Sequence, residues 1–166
     1  MQRIVGISLI VISVAWSIAL AAELRGNDFI SSAIEGNLFE VKAGELAQQK
    51  GASDGVRQFG AMLAKDHANA AQKSQQVAKA IGTKIPTSPS DSQRGVLEGL
   101  AKLDGKKFDE HFIKAMADDH LRDIARYEAQ AKQDSDAVSK YAAETLPTLR
   151  EHLKTVQGLQ NERATQ

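Results

Sequence analysis

The chain has 166 residues, 42% of them hydrophobic and only 5% aromatic, and its 21 Lys and Arg balance 21 Asp and Glu. That length holds one domain with a real core, and a net charge of zero lacks the basic surplus that nucleic-acid binding requires. There is no cysteine, which excludes a thiolate metal site, an iron–sulfur cluster, a c-type haem attachment, a lipoprotein anchor and a disulfide framework.

Met1-Gln2-Arg3 supplies a positive start, and Ile4 to Leu20 is an apolar run without a charge. Ala19-Leu20-Ala21 then satisfies the small-x-small rule of signal peptidase, so residues 1–21 read as a signal peptide cleaved before Ala22. The alternative is an uncleaved anchor, because the apolar run approaches the length of a spanning helix. Residues 22–166 read as one exported domain with its core over about 28–160. Its simplest destination is a bacterial periplasm, with no membrane segment left after cleavage.

Asn27 or Asp28 can cap a first helix to about Lys50, with the apolar stripe Ile30, Ala33, Ile34, Leu38 and Val41. Glu40 lies at the edge of that stripe, beside the small residues Ala33, Gly36, Ala43 and Ala47, which let a neighbouring backbone approach. Gly51-Ala52-Ser53 ends this helix, and Ser53 is a good N-cap for a second, about Asp54 to Ile81, stopped by Gly82. Thr83 to Ser92, with Pro86 and Pro89, reads as a loop. Val96, Leu97, Leu100 and Leu103 then mark a short helix within the connection. Asp104-Gly105 precedes a third long helix, about Lys107 to Ala131. Asp134-Ser135-Asp136 caps a fourth, about Ala137 to Gln160. Pro147 lies inside the fourth helix opposite its apolar stripe and predicts a bend without a break.

Ser53-Asp54-Gly55-Val56-Arg57-Gln58-Phe59 repeats as Ser135-Asp136-Ala137-Val138-Ser139-Lys140-Tyr141. Two related helical hairpins joined by a long crossover predict an all-α, ferritin-like antiparallel four-helix bundle.

Each of the last three long helices carries one histidine on its apolar stripe. His67 follows Val56, Phe59, Gly60 and Leu63 and precedes Ala70 and Val77. His120 lies between Met116 and Ile124, with Tyr127 beyond. His152 shares a stripe with Val138, Tyr141, Thr145, Leu149, Val156 and Leu159. Glu40, His67, His120 and His152 all fall near the midpoints of their helices, and in an antiparallel bundle midpoints share one height. Imidazole is a common ligand for zinc, copper and iron, and a metal on one nitrogen with a hydrogen bond on the other satisfies a buried ring. These four residues are the candidate metal ligands. Asp66, Asp119 and Glu151 each precede one of the histidines by one position, about 100° round the helix. They are candidates to orient the ligands from behind, and Glu45 is a reserve. His111 points off its stripe to the surface.

Di-iron carboxylate bundles place a glutamate three residues before each ligand histidine. Here those positions hold Ala64, Ala117 and Leu149, so the ferroxidase pattern is absent and a mononuclear histidine-rich site is the better match. The segments Asp66-His67, Gly105-Lys106-Lys107-Phe108-Asp109, Asp119-His120 and Leu146-Pro147-Thr148-Leu149-Arg150-Glu151-His152 resemble the motifs of a bacterial family, domain of unknown function 4142. Its members often carry the label "predicted outer membrane protein". The resemblance spans about Phe29 to Leu159 and implies an exported ferritin-like bundle, with no established reaction. The family's histidines correspond to His67, His120 and His152, and its first-helix glutamate to Glu40. Three readings follow: a periplasmic transition-metal binder serving buffering, storage or envelope stress; a non-catalytic envelope interaction protein whose histidines build a polar core; and a metal-dependent oxidase.

Overall fold

The computed structural model describes the backbone of residues 8–133 and 136–164 and the side chains of 25–133 and 136–163. Five helices follow in order: α1 (Ser8–Lys50), α2 (Asp54–Ala80), α3 (Asp91–Ala101), α4 (Gly105–Ala131) and α5 (Ala137–Ala164). The four long helices form a bundle in which α1 packs on α2, α4 packs on α5, and the two hairpins face each other through α2 on α5 and α1 on α4. Among the described residues there is no strand, only an isolated bridge between Gly51 and Gly105.

Local chemistry accounts for the boundaries. The Ser53 hydroxyl accepts from Val56 N at 3.3 Å and starts α2; Gly82, at φ +71°, ends it. Ser90 and Gln93 form a reciprocal capping box at the start of α3. Asp136 accepts from Ser139 N at 2.7 Å and caps α5, while Asp134 and Ser135 lie outside the described residues. Pro147 stays within α5, on its exposed side.

The first helix departs from expectation. It runs unbroken through Gly26, Asn27 and Asp28, so Asn27 and Asp28 cap nothing. The expected signal peptide falls partly on residues 1–7, outside the described residues. It continues on helical backbone whose side chains are not described. Among the described residues no helix is long and apolar enough to cross a membrane.

The crossover carries the chain along the bundle, so α4 starts at the end where α1 turns into α2. Asp109 of α4 shows this directly: its carboxylate accepts from Ala52 N at 2.8 Å and Ser53 N at 3.0 Å. Gly105, at φ +62°, makes the turn that delivers α4 to that point. The helices of the first hairpin touch backbone to backbone at Gly44 and Gly60. A Cβ on Gly44 would lie 2.4 Å from Gly60 O.

The interior has two apolar clusters. One gathers Phe39, Phe59, Leu63, Phe108, Phe112, Met116 and Val156; the other gathers Phe29, Ile30, Ile34, Tyr127, Tyr141 and Leu149. On each long helix, buried polar residues stand at the boundary between them: Asn37 and Glu40 on α1, His67 and Ser74 on α2, Asp119 and His120 on α4, and His152 on α5. A polar layer thus crosses the bundle between two hydrophobic halves.

A candidate metal centre of three buried histidines

Each histidine arrives in this layer from a different helix, and each is almost wholly buried: His67 4% exposed, His120 1% and His152 0%. Their ring centroids form a nearly equilateral triangle, 5.3 Å for His67–His152 and His120–His152 and 5.8 Å for His67–His120. One nitrogen from each ring lies within 4.8 Å of the other two.

The hydrogen bonds around the rim assign the tautomers. His67 Nδ1 meets the side-chain carbonyl of Asn37 at 2.9 Å, and His120 Nδ1 meets Met116 O at 2.9 Å. Both oxygens can only accept, so both Nδ1 atoms carry hydrogen. His152 Nε2 lies 3.1 Å from the Asp66 carboxylate and donates to it. The remaining nitrogens, His67 Nε2, His120 Nε2 and His152 Nδ1, are therefore lone pairs.

Two of these lone pairs face each other at 3.2 Å, between His120 Nε2 and His152 Nδ1. The third, His67 Nε2, is buried without any hydrogen-bond partner. An unmet buried acceptor costs about 1–3 kcal/mol, and opposed lone pairs add repulsion. A proton on His120 or His67 is a poor remedy. Burial, with the neighbouring His152, pushes His120 down to about 4, and burial with His120 and His152 pushes His67 well below the usual range. A cation held by all three nitrogens meets every defect at once. With metal–nitrogen bonds of about 2.0–2.1 Å, two ligand nitrogens stand about 3.3–3.6 Å apart, close to the His120–His152 spacing. The donor set thus suits a metal ion.

The other candidates are placed as follows. Glu40 is buried beside the cluster, but its Oε1 stands 3.6 Å from His120 Nδ1, the nitrogen turned away from the triad. It stands behind a ligand and outside the cluster. Burial first, then the charge of Asp119, push its carboxyl well above the usual range, favouring the protonated form. Asp66 orients His152 from α2, across helices. Asp119 touches no histidine nitrogen by hydrogen bond; it pairs with Arg122 at 2.6 Å and flanks Glu40. Glu151 is exposed, and Glu45 is exposed on a groove with Lys42, Leu46 and Leu97. Both point away because each is offset by a helical step from the face its helix buries. His111 is exposed as expected, its Nδ1 donating to Lys107 O at 2.9 Å.

Stripe positions shift for the same reason. Leu38, Val41, Ala70 and Val77 are only partly buried, while Asn37, Phe39, Ala71, Ser74 and Ala78 take the interior. Asn37 is the functional residue that sequence reasoning missed. Its amide joins His67 to Tyr141 Oη at 3.0 Å and to Ser74 Oγ at 3.4 Å, and Tyr141 Oη meets Tyr127 Oη at 3.4 Å. The available signal was its spacing, three residues after Ile34 and three before Glu40.

Fold and site together define an all-α, four-helix-bundle protein with a histidine triad at its centre. The chain belongs to the family described as Domain of unknown function (DUF4142), whose model matches residues 16–159. A solved structure with a similar fold is a DUF305 protein of Streptomyces coelicolor whose description includes "secreted". It is 12% identical, with a TM-score of 0.68 over 84% of this chain and 94% of that one. Comparison with curated proteins finds no match.

Proposed function

We propose that this protein binds one transition-metal ion through His67, His120 and His152 and serves as an exported metal-buffering or storage protein. The observation that carries the reading is the buried, unpartnered Nε2 of His67 facing two further lone pairs. Glu40, Asp66 and Asn37 act behind the ligands, and ligand-orienting partners of this kind typically contribute 10–100-fold in metal affinity. Titrating zinc, copper and iron(II) into the wild type and His120→Ala tests it. Metal should raise the melting temperature of the wild type and leave His120→Ala unchanged. Equal affinity in both would instead support the second reading, a polar core. The buried chain from His67 through Asn37 and Tyr141 to Tyr127 favours that alternative, since it gives those groups partners with no ion needed.

Export to a periplasm rests on the apolar run Ile4–Leu20 and the Ala19-Leu20-Ala21 site, supported by the word "secreted" in the description of the Streptomyces coelicolor protein. Intact-mass measurement of protein from the periplasmic fraction should give a chain beginning at Ala22 or Glu23. A full-length chain retained in the membrane would contradict it.

A further inference from the structure

The donor set of the triad constrains which ion it holds. All three donors are imidazole nitrogens, which bind a metal in their neutral form, and no thiolate exists in the chain. The two carboxylates against the triad lie on its outer side: Asp66 at His152 Nε2 and Glu40 at the Nδ1 side of His120. Neither Asp66 nor Glu40 offers an oxygen to the space between the three inner nitrogens.

The three rings around that space are almost wholly buried. Phe59, itself 1% exposed, sets its ring 6.2 Å from His152 and 6.5 Å from His120, centroid to centroid. Zinc in a three-histidine site completes a tetrahedron with water at an open position, and hard divalent ions retain several waters. With all three rings at most 4% exposed and Phe59 against two of them, the triad leaves little room for a solvent ligand. Copper(I) and silver(I), with filled d shells, are stable with two or three nitrogen ligands and need no fourth.

Charge points the same way. The cost of moving an ion into a low-dielectric interior scales with the square of its charge, so a divalent ion costs about four times as much as a monovalent one. Proteins offset that cost with anionic ligands, which this triad lacks. The single carboxylate hydrogen-bonded to it among the described residues, Asp66, matches one positive charge.

We infer that the triad formed by His67, His120 and His152 selects a monovalent d10 cation, copper(I) or silver(I), over zinc(II) and iron(II). The inference rests on the metal-binding reading above and narrows it to one class of ion.

The test is competition on the wild-type protein under anaerobic conditions, with copper(I) supplied from a chromophoric chelator and silver(I), zinc(II) and iron(II) titrated separately. One copper(I) per chain is expected, bound at least about 100-fold more tightly than zinc(II). X-ray absorption should show three nitrogen scatterers and no oxygen. Silver(I) should displace copper(I), and His67→Gln, which keeps the bulk of the ring site, should lose both. Zinc(II) or iron(II) binding to the triad as tightly as copper(I) would overturn the inference while leaving the metal reading intact. Failure of all four ions to bind more tightly to the wild type than to His67→Gln would overturn both. Because the ion comparison is made on the wild type, it does not depend on how well a variant folds.

Discussion

His67 donates its Nδ1 hydrogen to the side-chain carbonyl of Asn37 at 2.9 Å, from α2 to α1, and that one bond decides which nitrogen of His67 faces the other two histidines. Asn37 is 3% exposed, and its amide hydrogens are taken up by Tyr141 and Ser74. Neither flipping the amide nor turning the ring is free of cost.

Replacing Asn37 with Ala should therefore act twice. Metal affinity should fall by about 10–100-fold, because His67 loses the partner that holds its tautomer and orientation. Stability without metal should fall by about 1–3 kcal/mol, because buried groups on His67, Tyr141 and Ser74 lose a partner. Isothermal titration and chemical denaturation measure the two effects separately, and an unchanged metal affinity would make Asn37 a structural residue only.

The metal-free protein should show opposing pH dependences. His120, lowered to about 4 by burial, contributes stability that is complete above about 6.5 and is lost as pH falls from there toward 4, because the unfolded chain takes up the proton first. Asp123, raised to about 6 by burial and by Asp119, behaves in the opposite sense. Its ionisation penalises the folded state above pH 6, and the penalty is relieved as pH falls from 6 to 3.8. Asp123→Asn removes that second component. Relative to the wild type it should gain on the order of 2 kcal/mol between pH 4 and pH 8. Denaturation curves of both proteins across that range give the difference directly, and a flat difference would contradict the assignment.

Glycines in equivalent helical settings should respond with opposite signs. Gly44→Ala places a methyl group 2.4 Å from Gly60 O and 2.9 Å from Ala64 N, both backbone atoms that cannot turn aside. It should destabilise the protein by about 1–3 kcal/mol despite the better helix propensity of alanine. Gly99→Ala in α3 and Gly158→Ala in α5 meet nothing within 4 Å and should each stabilise by about 0.5–1 kcal/mol. Thermal melts of the three variants suffice.

Asp109 holds the start of α4 onto the turn between α1 and α2 through two backbone donors, while only 5% exposed. Asp109→Ala leaves Ala52 N and Ser53 N without that acceptor and should cost about 2–3 kcal/mol. Hydrogen exchange should accelerate first at residues 51–54. Loss of stability without that local signature would assign Asp109 another role.

Much of this architecture is written locally along the chain. Ser53, Gly82 and Pro147 act on their own helices, and periodic apolar residues separated by turn signals suffice to mark the four long helices, the crossover and its short helix, though not where α1 begins. The same periodicity turned His67, His120 and His152 inward, since a residue three or four positions from Leu63, Met116 or Leu149 shares their face. The limits of local reading appear where a face is shared among helices. Position on its own helix made Glu40 look like a ligand and left Asp66, Asp119 and Glu151 indistinguishable from one another. Only the packing of α2 on α5 brings Asp66 to His152, and only the packing of α1 on α4 puts Glu40 behind His120. Asn37, a polar residue among apolar neighbours, gains its meaning from α2 across the hairpin. Helix periodicity is a property of one chain segment, whereas the tautomer of a buried imidazole depends on an acceptor 30 or 86 residues away. The sequence by itself determined that three histidines would be buried at one level of a bundle. The tertiary structure alone decided that their lone pairs would face one another.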